Sequence, residues 1–294
     1  MNAALALVAS LAFLAAAAAP AAPRTYVVCP EGAAESDCDH RGGPGIQAAV
    51  DAAASGDTVL LRAGQYAAAA WREVPYKDVK VRGFVVIDGK DLRLEGDPGA
   101  VLDGSTGPPT TAIVVRNGRV TVSGLTISGF RYDVQEDDYY EGHGLFVIDG
   151  RVLARDLVIT KFQKMGLVGR GASVLEARRL RIVNGHVGIW LHETAYLSLA
   201  DSEISRNDSS AIAAYDDSVV HAADSRFEGN LDDGLFTEHR ATIYARRSQI
   251  RDNKPYGARA AGDSTIWLAD CVLEGNAKDT TGRRGRARVR IQEK

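Results

Sequence analysis

A short motif returns at a near-constant interval through the second half of the chain. Gly144-Leu145, Gly166-Leu167, Gly188-Ile189, Ala211-Ile212, Gly234-Leu235 and Gly257-Ala258 open successive units of 22, 22, 23, 23 and 23 residues. Ser202, Ser225, Ser248 and Cys271 form a second column at the same spacing. A third runs Ile159, Ile182, Ile204, Phe227, Ile250, Leu273, and a fourth Asn207, Asn230, Asn253, Asn276. One period held in four columns is the mark of a solenoid, in which each unit buries its apolar face only against its neighbours.

The interior of a unit selects the kind of solenoid. In the unit opened by Gly188, three short runs alternate with period two: Gly188-Ile189-Trp190-Leu191, Tyr196-Leu197-Ser198-Leu199 and Ser202-Glu203-Ile204. Alternation sends Ile189, Leu191, Leu197, Leu199, Ser202 and Ile204 inward. Val220, Ala222, Ser225 and Phe227 repeat the pattern one unit later. No helical period occurs in these units. Three strands per unit, with like residues stacked from unit to unit, predict an all-β, parallel β-helix solenoid.

The Gly-Ile/Leu opening, the V-x-A/L-x-x-S-x-I/F core and the loop Asn resemble the right-handed parallel β-helices of the pectin-lyase type. That resemblance covers about residues 44–290 and implies an amino-terminal helical cap followed by roughly nine or ten coils. Residues 45–53 read as an amphipathic helix suited to the cap, and Thr58-Val59-Leu60-Leu61 as the strand opening the first coil. Leu92/Leu94, Val120/Val122 and Leu125/Ile127 carry the inward pattern through less regular coils.

The chain divides into a leader at 1–22, a lead-in at 23–43 and the solenoid at 44–294. Residues 3–19 are uniformly apolar or small and precede Ala-Pro-rich sequence, the layout of a secretory signal peptide, although the flank lacks Lys and Arg. Export to the exterior or the periplasm permits disulfides, and Cys29 and Cys38 are spaced to pair. Cys271 holds a place in the Ser column and is expected as a small inward residue. No stable membrane insertion is expected once the leader is removed. A net charge of −3 gives no pull toward nucleic acid. The Arg-rich stretch 283–290 reads as a polar last strand that blocks edge pairing.

Alternation also identifies what the unit-opening strands show to water. One outward column reads Phe146, Val168, Trp190, Ala213, Phe236, Arg259; the next reads Arg170, His192, Tyr215, Glu238, Ala261, with Glu193, Asp216 and His239 at the following corner. Coils about 4.8 Å apart bring His192, Tyr215 and Glu238 into a ladder. In the pectin-lyase-type solenoids this strand carries the cleft, and lyases and epimerases of that fold act on uronates. Breaking a uronate chain by elimination needs a cation at the carboxylate, a base for the C5 proton and an acid for the leaving oxygen. Arg170 or Arg259 suits the first role, His192 the second and Tyr215 the third. A C5-epimerase needs much the same set.

Trp190, Phe236, Arg259, Asp216, His239 and His143 are the accompanying substrate-binding candidates, for an acidic polysaccharide. The chemistry calls for no cofactor. The spacing between units stretches through an insertion at 130–143, taken as one wall of the cleft, where Asp133, Asp137 and Asp138 are candidate Ca²⁺ ligands of no recognised spacing. Two other readings stand beside this one: a non-catalytic glycan-binding or structural solenoid, and a hydrolase using Glu238 with Asp216 as paired carboxylates. Gly142-His143-Gly144 and the pairs Asp216-Asp217 and Asp232-Asp233 resemble polygalacturonase signatures but occur in the wrong order. The Arg-x-Pro-x-x-Arg stretch of calcium pectate lyases and the Asp-Pro-His of mannuronan epimerases are absent.

Overall fold

Three parallel sheets wrap around one apolar interior, each coil giving one strand to each sheet. The computed structural model describes residues 22–292, except 35, 78, 136–138, 279 and 280. The apolar leader falls almost wholly at 1–21 and lies outside the described residues. Among the described residues the first sheet has 12 strands, the second 9 and the third 11. In the coil opened by Gly188 the third sheet receives Val187–Leu191, the first Tyr196–Ala200 and the second Glu203–Ser205. The next coil repeats this with Ile212–Ala214, Val219–Ala223 and Arg226–Glu228. The parallel β-helix expected from the period, right-handed as the resemblance implies, is the fold.

Register follows the sequence columns. Ile182 pairs with Ile204, Ile204 with Phe227 and Phe227 with Ile250, all fully buried. The inward residues of the three runs are likewise buried, so the core is a stack of aliphatic layers. Burying one such side chain contributes about 1.5–3 kcal/mol. The Gly that opens most units has a steric reason: a Cβ on Gly188 would sit 2.3 Å from Ile204 Cγ2 and 2.5 Å from the Ala211 carbonyl oxygen.

Polar columns pair with themselves. Ser202 and Ser225 accept backbone N–H bonds from the preceding coil, at 3.1 Å from Leu180 and 3.2 Å from Ser202. The Asn230 carbonyl accepts from the Asn207 backbone N–H at 3.1 Å and from its amide at 3.0 Å, and Asn253 does the same for Asn230. Cys271 takes the next place after Ser248, half-buried, with its thiol toward the Ala245 and Ala269 carbonyls. Corners are made by single left-handed residues: Asp156, Arg179, Asp201, Asp224, Arg247 and Asp270 between first and second sheets, and Asn117, Asp149, Gly171, Glu193, Asp216, His239 and Gly262 between third and first. Asp, Asn and Gly adopt this region at low cost, unlike Glu193.

The cap helix spans Gly42–Ala52 and buries Ile46, Ala49 and Val50 against the end of the core. The lead-in is more than a stapled loop. Thr25–Cys29 pairs in parallel with Thr58–Leu61 on one side and with His40–Arg41 on the other, so the first sheet begins two strands before the helix rather than after it. Sulfurs of Cys29 and Cys38 are bonded. At the other end Arg288–Gln292 closes the first sheet against Thr265–Ala269. No helix among the described residues is long and apolar enough to cross a membrane.

Two substitutions test this packing. Ile204→Asp puts a charge in the stacked core and is expected to abolish the cooperative β-type circular dichroism; a native spectrum and melt would contradict the layered core. Asn230→Ala leaves the Asn207 backbone N–H and amide without their acceptor, at about 1–3 kcal/mol for each buried group. The denaturation midpoint should fall accordingly.

Candidate functional site

The outward face of the third sheet and its corner toward the first sheet gather most of the polar and aromatic residues singled out above. Val168 pairs with Trp190, Trp190 with Ala213, Ala213 with Phe236 and Phe236 with Arg259. Two residues along, the His192 ring stacks on Tyr215 at 4.8 Å between centroids, and Trp190 approaches His192 at 4.6 Å. Phe236 closes the other side of Tyr215 at 5.6 Å.

His192 Nδ1 lies 2.7 Å from Asp216 Oδ2, which also accepts the Glu193 backbone N–H at 3.0 Å. A carboxylate only accepts, so Nδ1 carries the proton and Nε2 holds the lone pair of the neutral imidazole. Burial, reinforced by Arg170, pulls the His192 pKa below the usual histidine value despite the opposing pull of Asp216. The imidazole therefore stays neutral further into acid. Burial and the Glu238 carboxylate push the Tyr215 phenol up, keeping it protonated. Asp216 Oδ1 lies 3.0 Å from His239 Nδ1, which accepts the Asp216 backbone N–H at 3.3 Å.

Arg170 does not stand free on this face. It is 7% exposed and bonds Glu193 at 3.3 and 3.4 Å. Its guanidinium lies 4.9 Å from the Trp190 ring centroid and 5.1 Å from that of Tyr76. Glu193 also accepts from Tyr76 Oη at 2.6 Å, from Lys77 Nζ and from the Gly171 N–H. Burial by itself would raise the Glu193 pKa, but these donors outweigh it and hold the carboxyl well below its ordinary range.

Tyr76 and Lys77 come from an antiparallel hairpin, Arg72–Tyr76 against the first half of Val79–Asp88, that folds over the sheet. Val74, Tyr76 and Val81 pack on Phe146, Ile148 and Val168, which are therefore buried rather than solvent-facing. His143 lies under the same cover, 2% exposed, with Tyr140 and Phe146 against its ring and neither nitrogen hydrogen-bonded. Burial, then Lys164 and Arg170, lower its pKa to about 3, so it is a neutral packed side chain and not a surface contact. Phe130, at the start of the insertion, is also in the core, against Phe84. Tyr140 is the insertion residue that meets the site, 6.0 Å from Arg170.

On the far side Arg259 stacks on Phe236 at 4.3 Å and bonds Asp233 at 2.5 Å, with Asp232 at 3.9 Å. Burial, opposed by Arg259 and helped by Asp232, raises the Asp233 pKa to about 6. Glu238 is half-buried near Tyr215. Asp133 accepts the Gln135 N–H in a local turn. Asp137 and Asp138 lie outside the described residues. No group of three or more His, Cys, Asp or Glu among the described residues is placed to hold a metal ion.

Sequence reasoning missed Tyr76 and Lys77 because they fall outside the repeat. The signal was there: Val74 and Tyr76, then Val79 and Val81, alternate on either side of a polar turn, the pattern of a hairpin. Glu193 is the latch holding it down, and since its pKa is depressed, the latch persists above the unfolded carboxyl value of about 4.3 and weakens only as pH falls well below it. Glu193→Gln should free the hairpin and speed tryptic cleavage after Lys77 at neutral pH. A cleavage rate equal to that of the unaltered protein would exclude the latch.

Among curated proteins no sequence relative matches. Solved structures do. A pectate lyase, Pel9A, superposes with a TM-score of 0.64 at 14% identity, over 93% of this chain and 79% of its own. An alginate lyase from Paenibacillus sp. str. FPU-7 gives 0.57 at 14%, over 90% and 99%. A mutant of the periplasmic alginate epimerase AlgG gives 0.51 at 12%, over 81% and 71%. At these identities the likeness is one of fold. The family model described as "Right handed beta helix region" matches residues 111–276, and the chain belongs to that family.

Proposed function

We propose that this is an exported enzyme acting on an acidic polysaccharide, by uronate elimination or C5 epimerisation, on the outward face of the third sheet. The observation that carries the reading is the His192–Asp216 pair, 2.7 Å apart, with the Tyr215 ring stacked against the imidazole. His192 Nε2 takes the C5 proton, and Asp216 fixes the tautomer and steadies the imidazolium that forms. In elimination the C5–H electrons become the C4–C5 double bond, the C4–O bond breaks, and the Tyr215 hydroxyl protonates the departing oxygen. In epimerisation His192 keeps the C5 proton and the Tyr215 hydroxyl gives its own to the opposite face of C5.

Of the two candidate cations, Arg170 lies against Trp190 beside His192 and is bonded to Glu193, whereas Arg259 stands three coils further on and is bonded to Asp233. Half-buried Trp190 offers apolar contact to a sugar ring, whereas Phe236, outward by pattern, is buried beneath the Arg259 guanidinium. The solved lyases and epimerase of the same fold support the substrate class. The Cys29–Cys38 disulfide and the leader-like apolar run support export. A hydrolase pairing Glu238 with Asp216 is disfavoured, because Asp216 is engaged by His192 and the Glu193 N–H.

Incubation with alginate, pectate, hyaluronan and bacterial exopolysaccharides separates the outcomes. New ultraviolet absorbance means elimination, inverted stereochemistry without cleavage means epimerisation, and reducing ends alone mean hydrolysis. Binding without any conversion would leave a glycan-binding protein and remove the catalytic reading. His192→Ala and Tyr215→Phe should each lower the rate by about 10²–10⁴. The base works as neutral imidazole, so activity should fall with acid, and the lowered His192 pKa puts that limb below about 6.5. Asp216→Asn removes the charge that raises the His192 pKa and should move the limb lower still while reducing the rate. A limb unmoved by Asp216→Asn would rule out His192 as the titrating base.

A further inference from the structure

We infer that the outward face of the first sheet is a second, non-catalytic docking groove for an acidic polysaccharide, running along the solenoid axis. Its outward central column passes through Ser198, His221, Tyr244, Trp267 and Arg290. His221 and Tyr244 stack at 4.8 Å, Tyr244 and Trp267 at 6.4 Å with 15° between planes, and Arg290 covers Trp267 at 4.4 Å. Tyr244 is 42% and Trp267 37% exposed. These rings gain nothing from the core, and Tyr196 adds to the file by packing on His221 at 5.7 Å.

Beside the ring file runs a groove of about 410 Å³. Ala200, Ala223 and Ala269 make its floor, because that column holds methyl groups where longer side chains would fill the space. Arg178 and Arg246 interrupt the same column at coil spacings. The wall facing the groove therefore offers imidazole nitrogens, a phenol hydroxyl and an indole N–H, and the floor offers cations and methyl groups. That combination fits sugar hydroxyls and carboxylates repeated along a chain, since the coil spacing of about 4.8 Å is close to the length of one pyranose unit.

Charge favours an anionic occupant. Arg246 has no ion-pair partner among the described residues; of the corner carboxylates one coil to either side, Asp224 is held by two bonds from Arg247 and Asp270 is not bonded, while Arg178 is paired with Asp201 at 3.4 Å. Glu176 is the acidic residue of the central column, at the end away from Trp267. The groove and the His192 face sit on the same coils, separated by the corner that carries Glu193, Asp216 and His239. A chain held along one face raises the effective concentration of its segments at the other. The inference does not depend on turnover at His192.

Affinity electrophoresis through gels containing alginate, polygalacturonate or neutral dextran tests it, with His192→Ala as the parent so that no polymer is consumed. The parent should be retarded by at least one acidic polymer and not by dextran. The double change Tyr244→Ala with Trp267→Ala, and separately Arg246→Glu, should weaken retardation about tenfold or more. Both alter exposed side chains, and Arg246→Glu leaves the ring file intact, so a folding defect in the first would not obscure the second. The proposal is overturned if no acidic polymer retards the parent, if dextran retards it equally, or if neither variant changes retardation. Self-association of the parent that both variants abolish would also overturn it, assigning the groove to a second copy of the chain.

Discussion

Coil-to-coil backbone pairing, with strands about 4.8 Å apart and in register, is the constraint on which everything else in this molecule depends. Once two coils are hydrogen-bonded in parallel, every residue lies directly over its counterpart one unit earlier. A side chain's nearest neighbour is then set by the repeat length. Ile stacks on Ile, Ser on Ser and Asn on Asn, and an insertion or deletion within a strand would displace every column at once. Stability accumulates as many similar nearest-neighbour terms, so both ends need closing, by the Gly42–Ala52 helix at one and the Arg-rich Arg288–Gln292 strand at the other.

The same rule shapes the polar chemistry. Ladders of Ser and Asn satisfy backbone groups that the corners leave unpaired, inside a core that is otherwise mainly aliphatic, with aromatic rings such as Phe130 and Phe227. Corner residues must adopt a left-handed conformation, and between the third and first sheets most are Asn, Asp or Gly. Glu193 and His239 break that preference in adjoining coils on either side of Asp216. Their backbone cost is accepted where Glu193 gathers five donor groups and Asp216 lies between two imidazoles. Arg179 and Arg247 take the same left-handed conformation at the corner between the first and second sheets, each bonding the Asp one coil earlier, so an unfavoured corner residue is held by its neighbour on the adjacent coil there too.

Electrostatics around the site are set by partial burial. The hairpin over Phe146 and Val168 removes water from Arg170 and Glu193, which is why that pair is tightly bonded and why Arg170 serves as scaffold. His192, at the edge of this cover, is desolvated enough to lower its pKa yet keeps Asp216 as its orienting partner. Tyr215 stays protonated beside it. A base kept neutral and a phenol kept protonated are the two states that proton abstraction with leaving-group protonation requires.

Period and alternation by themselves determined the solenoid, the three strands per coil, the inward residues from Ile189 to Ile204 and the meeting of His192 with Tyr215. All of these follow from stacking identical units, a relation between positions that needs no knowledge of distance. The cap helix was readable from its apolar spacing, although the strand Thr25–Cys29 ahead of it was not, because it lies before the first repeat. Only the tertiary structure decided which outward residues meet water. Phe146, Val168, Arg170 and His143 sit in outward or loop positions by pattern, yet a hairpin from much earlier in the chain covers them, and no periodic rule describes where a non-repeating segment folds back. Partners one coil away were legible for the same reason that the fold was; Tyr76 and Lys77, more than a hundred residues from Glu193, reach it only through a chain path that packing, not period, selects.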